Sequence, residues 1–494
     1  MEALQYWLEG LRVATTPTNL LFAFVGSLLG TIIGVLPGIG PAAGTAILIP
    51  LTFQMEPIPA IIMLSAIYYG AMYGGTITSV LVNVPGEATS VITCLDGYQM
   101  ARQGRAGAAL GISAIGSFIG GTAATAALMV VALPLASLAL KFGPPEVFAL
   151  LVVGLSLATG LAGRSMLAAL IMTSFGLLLA LVGMDPVRGA PRFSFGITEL
   201  YDGVGFIPVA MGLYGIGEIL VSVERPFQEV IKTRLSSLLP DRQEWRRSAG
   251  AIGRGTVLGF VLGLIPGIGA VIPTFVAYVL EKRVSKHPER FGTGVIEGVA
   301  APETANNSYA TGAMVPLLAL GIPGSPTLAV LMGAFTINGI TPGPMLFRDR
   351  PDLVWGVIAS FYIGNLFLVI LNLPLVGLWA KLLEVRYQYL YAGVLLFCIV
   401  GAYSARQSTF DVVVMLVFGL LGYVFRKLDW PLAPAVLALI LGPMLEKTLR
   451  MSLEMSGGEL SILVTRPVSA ALLILAALIL TGTGLRSLPF RKVA

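Results

Sequence analysis

Glu303, Asn306 and Asn307 stand within five residues of one another in "EGVAAPETANNSYATGAMVP" (297–316), a stretch flanked by apolar sequence. Acids and amides inside apolar surroundings are expensive and mark functional positions. Their chemistry is ion binding: Asn306 and Asn307 can donate to a carboxylate or coordinate a cation, and Glu303 can coordinate a cation or cap a helix. A solvated loop with an ordinary cap would give the same pattern, and at Glu297 that simpler reading weighs equally. Glu87 and Asp96 are the acids of the first half nearest a helix break, each either a cation ligand or a loop carboxylate.

The second set of candidates is backbone. "GVLPGIGP" (34–41) and "GLIPGIGA" (263–270) place the same interruption in two apolar stretches 229 residues apart. Proline removes a donor and glycine permits strained backbone, so such breaks expose amides at one helix start and carbonyls at another helix end. Helix starts attract anions and carbonyl ends attract cations. A second pair, Pro85-Gly86 and Pro323-Gly324, stands 238 residues apart and runs into Thr89 and Thr327. With Thr45, Thr274 and Ser325, these loops supply what a carboxylate or sodium site needs without formal charge.

The elements that position these groups must lie in lipid. Of 494 residues 56% are hydrophobic and 12% charged, where soluble domains carry roughly 25% charged residues. Long apolar runs without strand-like alternation predict an all-α integral membrane protein of roughly ten to twelve spans. Whether the segments near Pro37, Pro85, Pro266 and Pro323 are re-entrant hairpins is left open by span counting. No basic cluster precedes the first apolar run, which is expected to remain as a helix rather than a cleaved signal. The offset of 229 also relates Gly26, Gly30, Gly34 and Thr45 to Gly255, Gly259, Gly263 and Thr274, so the chain holds two homologous repeats, and we expect them to be inverted. The glycines at four-residue spacing let helices approach closely. We divide the chain into a first transmembrane repeat (1–223), a cytoplasmic basic linker (224–250), a second transmembrane repeat (251–450) and a C-terminal helix and tail (451–494).

The linker holds six Lys or Arg against four acids over 224–248, which places it in the cytoplasm. The net charge of +5 lies in short loops rather than along a basic face, so nucleic acid is not a partner. Neither a phosphate-binding loop nor a catalytic triad is evident; the single histidine, His287, sits in a polar loop, and Cys94 and Cys398 suggest neither disulfide nor transition-metal site. We expect no enzyme and no organic cofactor.

These motifs resemble the large membrane (TctA-type) permease subunit of the tripartite tricarboxylate transporter family. The resemblance rests on "GVLPGIGPAAGTAILIPLTF" (34–53), "YYGAMYGGTITSVLVNVPGEATSVITCLDGYQMARQGRAGAALG" (68–111), "GLIPGIGAVIPTFVAYVLEKR" (263–283) and "EGVAAPETANNSYATGAMVPLLALGIPGSPTLAVLMGAF" (297–335). It implies a multi-pass protein of the bacterial cell inner membrane that imports organic acid anions. The implied partners are a small four-helix membrane subunit and a periplasmic solute-binding protein; self-association stays open. It also implies cation-driven transport, with sodium as the coupling ion. Ser308-Tyr309 follows the Asn pair where family members often have small residues, which leaves the pocket shape and the substrate open.

A dicarboxylate entering a cell at about −100 mV works against roughly 4.6 kcal/mol. Two helix starts contribute only about one positive charge, and no Lys or Arg stands plainly mid-span. Amides, hydroxyls and bound sodium are therefore expected in place of an arginine clamp. We assign Pro37, Gly38, Gly40, Pro85, Gly86, Thr89, Asn306, Asn307, Ser308, Pro323, Gly324 and Ser325 to the substrate, and Gly267, Gly269, Thr45, Thr274, Glu303 and Thr327 to the cation, leaving open which loop meets which. The alternative is a passive anion channel, whose pore-facing helix starts would read alike.

Overall fold

The computed structural model describes residues 2–36, 39–161, 165–185, 189–224, 238–383 and 387–487. Its regular structure is helical except for a hairpin that pairs Gly183–Met184 with Pro191–Arg192. Among the described residues seven helices are long and apolar enough to cross a membrane, and six shorter apolar helices accompany them. The chain is thus an all-α multi-pass membrane protein. The helices that build the site, numbered in chain order, are α1 (Pro17–Val35), α2 (Gly40–Leu48), α3 (Pro57–Val82), α4 (Val91–Arg102), α5 (Ala106–Ala139), α6 (Phe206–Val223), α7 (Arg242–Gly263), α8 (Val271–Val284), α9 (Glu297–Gly312), α10 (Met314–Leu320), α11 (Pro326–Ile337), α12 (Pro351–Asn372), α13 (Thr409–Lys427) and α14 (Leu432–Met455).

Proline opens α1, α3, α11 and α12, where its missing N–H is an orphan in any case. Lipid offers no hydrophobic force between helices, so close van der Waals approach must hold them together. The repeated glycines provide it. A Cβ built on Gly26 would stand 2.4 Å from the Met63 carbonyl oxygen, on Gly30 2.5 Å from that of Ile67, and on Gly34 2.2 Å from that of Ala71. The second copy does the same: a Cβ on Gly255 would stand 2.6 Å from the Ala301 carbonyl oxygen, on Gly259 2.3 Å from that of Ala305, and on Gly263 2.8 Å from the Ala313 nitrogen. Both numberings ascend together, so α1 runs parallel to α3 and α7 parallel to α9.

The two pairs run in opposite directions. Ser113 and Ser117 of α5 meet Glu303 and Asn307 of α9 in ascending order, making α5 and α9 parallel. Gly121 and Met129 of α5 meet Asn365 and Tyr362 of α12 in the reverse order. Tyr69 and Tyr73 of α3 meet Ser360 and Asn365 in ascending order, so α3 follows α12 and opposes α9. From Pro59 to its end α3 is buried, as is nearly all of α9 and α10.

One end of the bundle is basic. There the turn after α4 meets the loop before α9: Gln103 Nε2 donates to the Thr293 carbonyl at 2.7 Å, and Arg105 pairs with Glu244 at 2.5 Å. Asp96, fully buried, clamps that loop by accepting from the amides of Gly292, Gly294 and Val295 at 2.8 to 2.9 Å and from the Tyr278 hydroxyl at 2.8 Å. Its four donors identify it as a loop-holding carboxylate. Hydrogen bonds to a charged group are worth about 1.5–3 kcal/mol each, so removing all four with the carboxylate weakens the hold on the loop by more than roughly 3 kcal/mol. Asp96→Ala is expected to raise the rate of tryptic cleavage at Lys286 and Arg290 in detergent at least tenfold; an unchanged rate would contradict the clamp. Glu297, ion-paired with Arg247 at 2.8 Å, belongs to the same surface. At the opposite end the hairpin is tied to α14 by Arg192 with Glu446 and Arg450 with Asp185, both at 2.8 Å.

Candidate functional site

Four chain breaks meet in the middle of the bundle. The first lies between α1 and α2, where Leu36 closes α1 on the Ile32 and Ile33 carbonyls and Gly40 begins α2 with φ +65°; Pro37 and Gly38 lie outside the described residues. The second follows α3, which ends on Asn83 in the left-handed conformation (φ 59°). The third separates α7 from α8 and turns on Gly267 and Gly269, with φ of 79° and 73°. The fourth follows α10, ending on Gly321 at φ 71°. Asn83 and Gly321 each stand two residues before a Pro-Gly pair, so the second pair of breaks repeats in conformation as well as in sequence.

Contacts lock the breaks together two by two. A Cβ on Gly86 would fall 2.3 Å from the Gly34 carbonyl oxygen and 2.6 Å from Gly75 Cα, so the second break rests directly on the first. The Gly324 carbonyl accepts from the Gly269 amide at 3.2 Å and from the Tyr309 hydroxyl at 2.9 Å, which joins the third break to the fourth. All four then line one cavity of about 670 Å³, to which Gly40, Pro85, Gly86, Thr89, Gly267, Gly269, Ser325 and Thr327 contribute. The start of α11 points into it, with Ser325 Oγ capping the Leu328 amide at 3.3 Å.

Two carboxylates stand at and behind the cavity wall. Glu87 is part of the wall and accepts from Asn306 Nδ2 at 3.0 Å and from the Thr89 hydroxyl. Glu303 lies deeper, 1% exposed, and accepts from Thr76 at 2.5 Å, from Ser113 at 3.3 Å and from Thr93. Their partners are hydroxyls and an amide; among the described residues neither acid forms an ion pair with Lys, Arg or His. The Oδ1 atoms of Asn306 and Asn307, buried on the same helix, have no hydrogen-bond donor. Buried carboxylates without a cationic partner and carbonyl oxygens without donors are the donor set for a hard cation. Among the described residues no group of three or more His, Cys, Asp or Glu could hold a metal.

Other expected residues are placed differently. Ser308 gives its hydroxyl to the Thr256 carbonyl at 2.6 Å and Thr274 to that of Val271 at 2.7 Å, so both serve the helices. Thr45 is fully buried on α2, its hydroxyl unpartnered. Pro323 and Gly324 shape the fourth break, while Glu303, Asn306 and Asn307 form the layer behind Glu87. Three groups were not foreseen: Arg426, Glu218 and Tyr214 line the cavity. Arg426 ends an apolar run and reads in sequence as an ordinary span terminus, and Glu218 reads as a helix-end or interface residue. Sequence reasoning anticipated no arginine here; α13 carries one to the cavity wall, where it pairs with Glu218.

The family described as "Tripartite tricarboxylate transporter TctA family" matches residues 20–437. An uncharacterized 52.8 kDa protein of the TAR-I ttuC' 3' region of Agrobacterium vitis is 49% identical over 465 residues, covering 94% of this chain and 93% of that protein. An uncharacterized protein of the TAR-II ttuC' 3' region of the same organism is 48% identical over 215 residues, 44% of this chain and 89% of that one. No solved structure matches.

Proposed function

Because the chain belongs to the tripartite tricarboxylate transporter TctA family, whose members are transporter subunits rather than enzymes, we propose that it imports di- or tricarboxylates by cation-coupled alternating access, with sodium as the driving ion. The observation that carries this reading is the convergence of four chain breaks on one cavity, with two acids at and behind its wall that pair with no Lys, Arg or His among the described residues. Irregular backbone at membrane depth persists only where it lines a cavity or is buried in protein. Exposed amides at the starts of α2, α8 and α11 suit carboxylates, and the Glu87, Glu303, Asn306 and Asn307 layer suits sodium. A cation bound there offsets the charge of the acids and raises the affinity of the neighbouring cavity for an anion, which couples the two ligands.

The two halves act as inverted repeats in this reading, supported by the opposed α1/α3 and α7/α9 pairs, each with its breaks at corresponding positions. The portion bearing the breaks moves against the remaining helices, alternating access to the cavity. We place the basic end in the cytoplasm of a bacterial inner membrane by the positive-inside rule. A small four-helix membrane subunit and a periplasmic binding protein complete the assembly, the latter delivering substrate at the hairpin end.

The test is uptake of radiolabelled citrate, tartrate, malate and succinate into proteoliposomes holding both membrane subunits, with the binding protein outside. An inward sodium gradient is expected to raise the initial rate for at least one of these acids by an order of magnitude or more. At about −100 mV and roughly 2.3 kcal/mol per charge, two sodium ions suffice only to balance a dicarboxylate's charge, so the chemical gradient of sodium supplies the net drive. Uptake indifferent to sodium and independent of the binding protein would favour a passive anion pathway instead.

A further inference from the structure

We propose that Arg426 recognises the substrate's carboxylate and that Glu218 holds Arg426 when the cavity is empty, so that loading exchanges one carboxylate partner for another. The inference rests on the transport reading above and names the charged group of that same site. Arg426 is the one Lys or Arg among the described residues that line the cavity. Its neighbour Lys427 is directed elsewhere, pairing with Glu224, which also accepts from Tyr423. Arg426 keeps a 28% exposed side chain facing the open space, whereas its partner Glu218 is 8% exposed.

Donors remain on both sides of the pair. The Arg426 Nε is buried and has no acceptor, although a guanidinium presents a planar fork that a carboxylate fills with two parallel bonds. Glu218 uses one oxygen for Arg426 and the other to accept from Ser222 at 3.3 Å. Tyr214, four residues before Glu218 in a π-helical stretch (Met211–Ile216), lines the cavity with its hydroxyl buried and unpartnered. Glu218 therefore keeps the Ser222 hydroxyl when it yields the arginine, and the arginine gains a second oxygen from a ligand.

Electrostatics makes the exchange selective. A guanidinium stripped of its partner in a partly buried wall is strongly unfavourable, so Arg426 leaves Glu218 only for another anion. Substrates without a free carboxylate do not supply one. Glu218 also acts as a built-in competitor that weakens binding and eases release.

The experiment measures citrate binding and citrate uptake together. Binding is read as the thermal stabilisation of the purified membrane subunits by citrate, and uptake as KM, Vmax and sodium half-saturation in the proteoliposomes described above. Arg426→Gln is expected to raise KM at least tenfold and to abolish the stabilisation, with sodium half-saturation unchanged within twofold. Glu218→Gln is expected to lower KM threefold or more, to increase the stabilisation and to reduce Vmax. If both variants change Vmax alone, the pair merely braces α6 against α13 and the proposal is overturned. Should Arg426→Gln fail to accumulate in the membrane, the direction of the KM change in Glu218→Gln decides alone. Citrate stabilisation lost in Arg426→Gln without any sodium-driven uptake in the unsubstituted protein would uphold the arginine and count against the transport reading.

Discussion

Glu303→Gln is expected to abolish sodium-driven uptake while leaving folded protein in the membrane within about twofold of the unsubstituted chain. Gln preserves the volume of Glu303 and an oxygen for Thr76 and Ser113, which donate at 2.5 and 3.3 Å, so the packing of α3, α5 and α9 survives. What disappears is the formal charge. A unit charge about 4 Å from a cation contributes about 4 kcal/mol at an effective dielectric constant near 20, which is roughly a thousandfold in sodium affinity. Uptake measured across a series of sodium concentrations should therefore lose its sodium dependence over the accessible range. Sodium half-saturation that stays within threefold in Glu303→Gln would remove Glu303 from the cation site and leave it a buried structural acid. The same measurement on Asn306→Ala separates the two layers: it takes away both a free carbonyl oxygen and the amide that Glu87 accepts from at 3.0 Å, so KM for citrate should rise along with the sodium requirement.

The second large effect is structural and begins with a single added Cβ. A Cβ on Gly34 would lie 2.2 Å from the Ala71 carbonyl oxygen, 2.8 Å from Gly74 Cα and 2.9 Å from the Gly75 nitrogen. These are backbone atoms inside a helix buried from Pro59 to Val82, and no rotamer change relieves them. Gly34→Val must push α1 away from α3, and Gly86, packed so closely on the Gly34 carbonyl that a Cβ there would fall 2.3 Å from its oxygen, loses its support. The cost exceeds the roughly 1–3 kcal/mol of ordinary overpacking because two breaks separate at once. Size-exclusion profiles of the detergent-solubilised protein are expected to shift from a single symmetric peak to aggregate, with the remaining fraction melting at lower temperature. Gly253→Val serves as the control, since nothing lies within 4 Å of its added Cβ. A monodisperse Gly34→Val with an unchanged melting temperature would sink the close-packing account of the glycine spacing.

These two positions differ in how visible they are in sequence. Gly34 shares its four-residue spacing with Gly26 and Gly30 and has a copy at Gly263, so the close face of α1 and its repetition in α7 could be read without coordinates. Glu303 was visible as an acid among apolar residues, yet its partners were not. Thr76, Thr93 and Ser113 come from three other helices, 190 to 227 residues away. Hydroxyls in a membrane helix attract no notice because each can bond its own preceding carbonyl, as Ser27 does with Ala23 at 2.8 Å.

The linear sequence by itself determined that the chain is a membrane-embedded helical protein, that its glycine and Pro-Gly motifs recur at a near-constant offset, and where its helices break. Each of these follows from a local rule: lipid cannot satisfy a free amide, so a Pro-Gly interruption within an apolar run stands out wherever it occurs. Only the tertiary structure decided that the four breaks share one cavity, that Glu87 stands on its wall with Glu303 behind, that Asp96 holds a loop, and that Arg426 faces the cavity rather than the surface. An arginine at the end of a span is ordinary for a charge that reaches toward the interface. Its alternative destination depends on where α6 and α14 pack beside α13, which no spacing along the chain encodes.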